Sequence, residues 1–394
     1  MITFLFGSGA DSDYNDKLKS GAEFSRALLL DTYSDIKKEI LNVKNSDSLI
    51  HPNSTKVFLQ TIASNEELAR KVLSKDDVDK CINYYNESNE KVEYEEIRKI
   101  CKQWFDILKD NQSKNKDIRD FFFHNAVFFD SLDGKFNSLR VYPYNKNAKK
   151  AMSAYLSVYI FMLKCMFEIR DDFIWSYSNI IDLLNDKSKI LQPKSEENYY
   201  SILKKSELDC NIITTNYTPY VKEMISKEVV YLHGKMTLFE DLKHLFVYDC
   251  TYDKAKIEDN LEYIIPFIMI PSGIKPIICP TQIDAFYSFM KQLDQSELLV
   301  VVGYKFNSED NHINSIINNW LLKDKNKMVY FNYDKSVDFD KLQWIRSSSS
   351  VETVEYIDEH TRINFTQKIT NIIVNNENSK IAYKAFLKNI GGNI

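Results

Sequence analysis

The stretch at residues 297–320, ELLVVVGYKFNSEDNHINSIINNW, decides the fold. Leu298 to Val302 is an unbroken apolar run ending in three valines. That is the composition of a strand buried on both faces at the centre of a parallel sheet. Gly303 ends the run. Beyond it, Ile313, Ile316, Ile317 and Trp320 recur at the spacing of one helix face, so residues 303–311 are predicted to form a loop at the carboxyl end of a central strand. In open α/β sheets that edge is where ligands bind.

Working outward, the glycines support the same reading. There are only nine in 394 residues, and several stand directly after predicted strands: Gly7 and Gly9 after Ile2–Phe6, Gly234 after 229–232, and Gly303 after the central run. Lacking a Cβ, glycine lets the chain turn sharply out of a strand or lets backbone N–H groups approach a phosphate. Residues 2–6, the small-residue turn Gly7-Ser8-Gly9-Ala10-Asp11, and a helix predicted over 20–30 make a strand, turn and helix unit of the phosphate-cradling kind. Taken alone, a G-x-G is better read as an ordinary tight turn.

Strands are also predicted at 210–215 and 229–232, separated by a short helix over 219–226. Residues 240–270 have no clear period and read as a lobe or lid. A helix is expected at 285–293, strands at 328–332 and 351–357, and helices near 363–374 and 381–387. Between residues 33 and 191 the apolar period is helical: Ile97, Ile100, Cys101, Trp104 and Leu108 form one stripe, and 151–170 is strongly apolar. The expected architecture is therefore α/β, a Rossmann-like parallel sheet built from 1–32 and 200–394, with a large all-helical insertion over 33–199. His51 and His124 lie in that insertion without a second ligand at metal spacing and read as structural.

Composition sets outer limits. With 44% hydrophobic and 27% charged residues the chain is of ordinary globular type. A net charge of −5 provides no general field for nucleic acid. The six cysteines lie far apart with no C-x-x-C pair, which reads as reduced thiols in a cytoplasmic protein. The start of the chain lacks the pattern of a signal peptide, and the longest uncharged run, 151–163, is shorter than the roughly 20 residues of a membrane span.

If the strands at 2–6, 210–215, 229–232, 298–302 and 328–332 are parallel neighbours, the loops bearing Gly7, Asn216, His233, Gly303 and Asn332 converge at one sheet edge. Asn216 alone is equally a cap for the helix after it, and His233 alone is a plausible core histidine. Together they occupy the ligand edge of consecutive strand units. Asp310 orients the loop or a ribose, or is a surface acid; His312 is expected to cap or pack against its helix.

These residues resemble the sirtuin superfamily, and within it a bacterial sirtuin-like branch of antiphage NAD-degrading effectors. Gly7-Ser8-Gly9-Ala10-Asp11 is similar to the family's G-A-G-x-S phosphate loop, and Thr214-Thr215-Asn216-Tyr217-Thr218 to its T-Q-N-I-D segment. Leu232-His233-Gly234 is similar to the H-G that contains the catalytic histidine. Val301-Val302-Gly303-Tyr304, followed by Asp310-Asn311-His312-Ile313-Asn314, resembles the G-Y-S-F and D-x-H-I-N pattern of the defence branch. Asn332 stands where the family places an asparagine near the adenosine ribose. The likeness covers the first 30 residues and about 208–360.

The resemblance implies an NAD hydrolase that releases nicotinamide and ADP-ribose as an abortive-infection effector, with His233 as general base and Asn216 positioning water or the ribose. Gly7, Ser8, Gly9, Ala10, Asp11, Thr215, Gly303, Tyr304, Asp310 and Asn332 would hold the dinucleotide, and no metal is expected. It further implies a homo-oligomer and, for relatives of this size, a HerA-type ATPase partner. The pattern departs from protein deacylases of the family, since there is no four-cysteine zinc ribbon and Thr215 and Thr218 replace Gln and Asp. Open alternatives are a non-catalytic NAD or ADP-ribose sensor and, less favoured, a deacylase.

Overall fold

The computed structural model describes residues 1–15, 66–87, 94–110, 177–186, 191–269, 279–307, 310–332, 353–358, 361–365, 369–374 and 379–393, with isolated residues at 59, 62–63, 152, 156, 159–160, 162–163, 167 and 277. The helix expected over 20–30, His51, His124 and most of the apolar segment 151–170 lie outside these residues.

In chain order the strands are β1 (Ile2–Phe6), β2 (Cys210–Thr214), β3 (Val229–Tyr231), β4 (Gly234–Asp241), β5 (Phe246–Asp249), β6 (Ile264–Ile268), β7 (Leu298–Val302), β8 (Lys327–Asn332), β9 (Thr353–Asp358), β10 (Thr361–Phe365) and β11 (Ile369–Val374). The helices are α1 (Ser8–Tyr14), α2 (Glu66–Val72), α3 (Lys75–Glu87), α4 (Tyr94–Asp110), α5 (Tyr177–Asn185), α6 (Tyr199–Lys205), α7 (Tyr220–Ile225), α8 (Lys254–Asp259), α9 (Pro280–Asp294), α10 (Asn311–Leu321) and α11 (Ser379–Asn389).

The main sheet runs β3-β2-β1-β7-β8-β11-β10-β9. Its first six strands are mutually parallel, and β10 and β9 extend it antiparallel. The chain steps from β1 outward through β2 to β3, then returns to the other side of β1 and steps outward again through β7 and β8. This is the doubly wound Rossmann order, and the reversal lies between β1 and β7. The apolar runs occupy that centre because a parallel sheet is covered on both faces. Leu5, Leu299 and Val301 pack with Phe289 of α9 and Ile313, Ile317 and Trp320 of α10. On alternate positions Phe6 meets Tyr200 of α6 edge-on at 5.1 Å, and Phe331 meets Tyr383 of α11 at 5.2 Å. Thr3, the one polar residue inside β1, has its hydroxyl 2.7 Å from that of Ser296.

Two expectations are corrected. Residues 363–374 are not a helix but the hairpin strands β10 and β11, with Ile363 opposite Ile372 and Phe365 opposite Thr370. Thr361, Ile363, Thr370, Ile372, Ile373 and Val374 are β-branched, and a sheet edge is available to pair them. Gly7 to Asp11 is not a turn ahead of a later helix, because α1 starts at Ser8 directly. Residues 240–270, unassigned from sequence, complete a three-stranded antiparallel sheet, β5-β4-β6, with α8 between β5 and β6. α9 begins at Pro280, five residues before the expected start, with proline in its first turn where the missing N–H costs nothing.

Between α1 and β2, every described residue with regular structure is helical. In α4 the predicted stripe is buried at Ile97, Ile100, Cys101 and Trp104. By proximity of backbone the chain forms two compact units, one of Met1–Ser20, Leu163–Ile270 and Lys275–Ile394, the other of Gly21–Met162 and Pro271–Ile274. Both sheets belong to the first. Cys81, Cys101, Cys210, Cys250 and Cys279 are buried thiols. Among the described residues, no helix is long and apolar enough to cross a membrane.

Candidate functional site

At the switch point the backbones of two loops touch. Gly7 N–H donates to the Val302 carbonyl and Gly9 N–H to the Gly303 carbonyl, each at 2.9 Å. Gly303 has φ +69°, and a Cβ built on it would lie 2.3 Å from the Ala10 nitrogen. One on Gly7 would lie 2.5 Å from the Gly303 oxygen. These glycines therefore serve first to let the β1–α1 and β7–α10 connections meet without side chains between them. The N–H groups of Gly7 and Gly9, expected to face a phosphate, are used in that junction.

The end of β2 is fastened to the same junction. Thr215 N–H donates to the Phe6 carbonyl at 3.0 Å, and the Thr214 hydroxyl donates to that carbonyl at 3.1 Å while accepting from Asn216 N–H at 3.0 Å. Asn216 is buried, and its amide nitrogen donates to the Gly7 carbonyl at 3.0 Å and to the Tyr200 hydroxyl at 3.3 Å. A carbonyl only accepts, so the nitrogen must face Gly7. Both amide hydrogens are thereby engaged, and the side-chain oxygen is the group left to offer a ligand.

Behind Asn216 lies Asp11. Its carboxylate accepts from the Tyr200 hydroxyl at 2.5 Å and from the Thr218 hydroxyl at 2.6 Å. Burial pushes the Asp11 carboxyl up to about 6, against the pull of its bonds with Thr218, Tyr200 and Asn216. Burial and the adjacent acid likewise raise the Tyr200 phenol well above its ordinary range, so it stays a neutral donor. Asp11 thus braces the β2 loop from within. Tyr200 and Thr218 are members of this network that sequence reasoning did not single out as ligand-site residues; Thr218 registered only as a departure from a motif, and Tyr200 carries no local signal.

Across the sheet edge, His233 follows β3 in the turn before β4. Leu232 N–H donates to the Thr214 carbonyl at 2.9 Å, and the His233 carbonyl accepts from Met269 N–H at 2.7 Å, which ties the turn to both sheets. The buried His233 Nε2 lies 3.4 Å from Oδ1 of Asp310, also buried. The surface-acid reading of Asp310 therefore falls. The rings of His233 and His312 are 5.8 Å apart, and Tyr217, next to Asn216, has its ring 6.3 Å from that of His233. His312 packs against Phe286 at 5.2 Å, as a packing role requires, yet it also completes a group with His233 and Asp310 whose ligand atoms all lie within 4.8 Å of one another.

Tyr304 points inward. It is buried against Phe306, ring centres 5.0 Å apart, and its hydroxyl donates to Asn314 at 3.0 Å; Asn314 in turn donates to the Asn307 carbonyl at 2.8 Å. Tyr304 and Asn314 shape the loop between β7 and α10. Ser8 and Ala10 sit in the first turn of α1, with Ala10 N–H bonded to the Gly7 carbonyl. Asn332 ends β8, one strand beyond β7. The residues gathered at the switch point are thus Gly7, Gly9, Asn216 and Gly303, with His233, Asp310 and His312 beside them. Asp11 and Tyr304 support the loops from inside.

No family model and no curated protein matches the chain. Among solved structures, one described under the mechanism and regulation of Sir2 enzymes is similar over 54% of this chain and 78% of its own, at 15% identity and TM-score 0.31. Sir2Af2 bound to a myristoylated histone peptide is similar over 54% and 80%, at 14% identity and TM-score 0.31. A Sir2 complex with the inhibitor EX-527, 2'-O-acetyl-ADP-ribose and a deacetylated p53 peptide is similar over 37% and 67%, at 19% identity and TM-score 0.27. The overlaps are partial and the TM-scores low, so the reading of the site rests on its own residues.

Proposed function

We propose that this protein hydrolyses NAD, releasing nicotinamide and ADP-ribose. The observation that carries the reading is the convergence of Asn216, His233 and Asp310, all buried, on the carboxyl edge of a doubly wound sheet beside its switch point. A dinucleotide is the ligand such an edge accommodates. The motif resemblance across the same loops points to NAD as the substrate.

In this reading the C1′–N bond of the nicotinamide riboside breaks and nicotinamide leaves with the bonding electrons. Water adds to C1′, and its proton passes to His233. The Asn216 oxygen accepts a hydrogen bond from the water or a ribose hydroxyl and orients it. Asp310 balances the charge that His233 acquires. Ser8, Ala10, Thr215 and Asn332 are the remaining candidates for contacts to the dinucleotide.

Purified protein incubated with NAD, followed by chromatography, should yield nicotinamide and ADP-ribose. His233→Ala should lower the rate by about 10²–10⁴-fold, as loss of a general base does, and Asn216→Ala should also be severely impaired. Full activity in both variants would reject the mechanism. Nicotinamide release that requires an acyl-lysine peptide would point instead to deacylation, and binding of NAD without turnover to a sensor. The wider role proposed, an antiphage abortive-infection effector that assembles as a homo-oligomer with a HerA-like ATPase, rests on the resemblance alone. It is tested by NAD levels in infected cells and by co-purification.

A further inference from the structure

We propose that His233, Asp310 and His312 form a binding site for a divalent transition-metal ion of the Zn²⁺ type, and that occupancy of this site and the service of His233 as a base exclude one another. Two imidazoles and a carboxylate, with their ligand atoms all within 4.8 Å of one another, are the donor set of three-ligand zinc and iron centres that leave a position open. Zinc bonds of about 2.0–2.2 Å to nitrogen and oxygen imply a spacing of about 3.3–3.6 Å between donors in a tetrahedron. His233 Nε2 and Asp310 Oδ1 are 3.4 Å apart. Asp310 is the N-cap of α10 and His312 the second residue of that helix, where its ring packs against Phe286. Ligand type selects the metal: imidazole nitrogen favours Zn²⁺, Co²⁺ or Ni²⁺ over Mg²⁺, which prefers all-oxygen shells.

The second half of the proposal rests on the general-base reading above. A metal on Nε2 occupies the lone pair that would take the proton of the attacking water, so Zn²⁺ should act as a reversible inhibitor.

The test separates the halves. Calorimetric titration of the full chain with ZnCl₂ should show a site that His312→Gln and Asp310→Asn each weaken at least about tenfold, with no response to MgCl₂. Co²⁺ should give a visible d–d absorption that His312→Gln abolishes while unfolding at the wild-type urea midpoint. Absence of Zn²⁺ binding, or equal binding in both variants, overturns the site. Suppression of NAD cleavage by Zn²⁺, reversed by EDTA, supports the exclusion; unchanged or faster cleavage with Zn²⁺ bound overturns it. If no NAD is cleaved under any condition, the general-base reading and the exclusion fail, while the titration and the cobalt spectrum still decide the site.

Discussion

Asp11 is a buried carboxyl whose chemistry is altered by its surroundings. It lies behind Asn216 and receives hydroxyl donors from Tyr200 and Thr218, yet burial outweighs them and raises its carboxyl from 3.8 to about 6. A carboxyl that binds its proton more tightly in the folded chain makes the fold more stable where it is protonated. Its contribution is complete below the unfolded value of 3.8 and is lost as pH rises through about 6. The difference corresponds to about 3 kcal/mol. Wild type should therefore lose about 2 to 3 kcal/mol relative to Asp11→Asn between about pH 4 and pH 7.5, read from urea unfolding of both proteins. Parallel profiles would show that the carboxyl titrates as it does in the unfolded chain.

At the scale of elements, the site depends on the backbone junction between the β1–α1 and β7–α10 connections. Gly303 combines φ +69° with a neighbour that a Cβ would meet at 2.3 Å, whereas Gly391, at φ +99°, has nothing within 4 Å of such a Cβ. The pair separates two costs. Gly391→Ala should cost no more than the roughly 1–2 kcal/mol of a left-handed backbone. Gly303→Ala should cost that and the displacement of a loop, so a distinctly larger fall in thermal midpoint is expected, together with loss of NAD binding. Equal effects of the two substitutions would mean that the junction yields easily.

For the whole molecule, β1 is the strand that joins the two halves of the main sheet, since β2 lies on one side of it and β7 on the other. Phe4, Leu5 and Phe6 are completely buried there. Phe4→Ala should destabilise the protein by about 3–5 kcal/mol, measured by the urea midpoint, because a parallel sheet covered on both faces cannot collapse to fill the space. A change below about 1 kcal/mol would show that the centre of the sheet is not where stability is concentrated.

The sequence by itself determined the strands at the centre of the sheet and the loops that follow them. Apolar and β-branched runs such as Leu298–Val302 carry a local signal, and residues such as Gly303 mark where they stop. Residues 363–374 form strands and not the expected helix because a short β-branched segment has a period compatible with either, and only pairing with β8 and β9 decides it. The partners within the site were beyond sequence reasoning for a related reason. Tyr200 and Asp11 are 189 positions apart and Thr218 and Asp11 are 207, and nothing local records such a meeting. Tertiary structure alone decided that Tyr304 turns inward to Asn314 and that Asp310 and His312 face His233. Which side chains share a buried volume depends on the lateral order of strands, and that order is set by the packing of the whole chain.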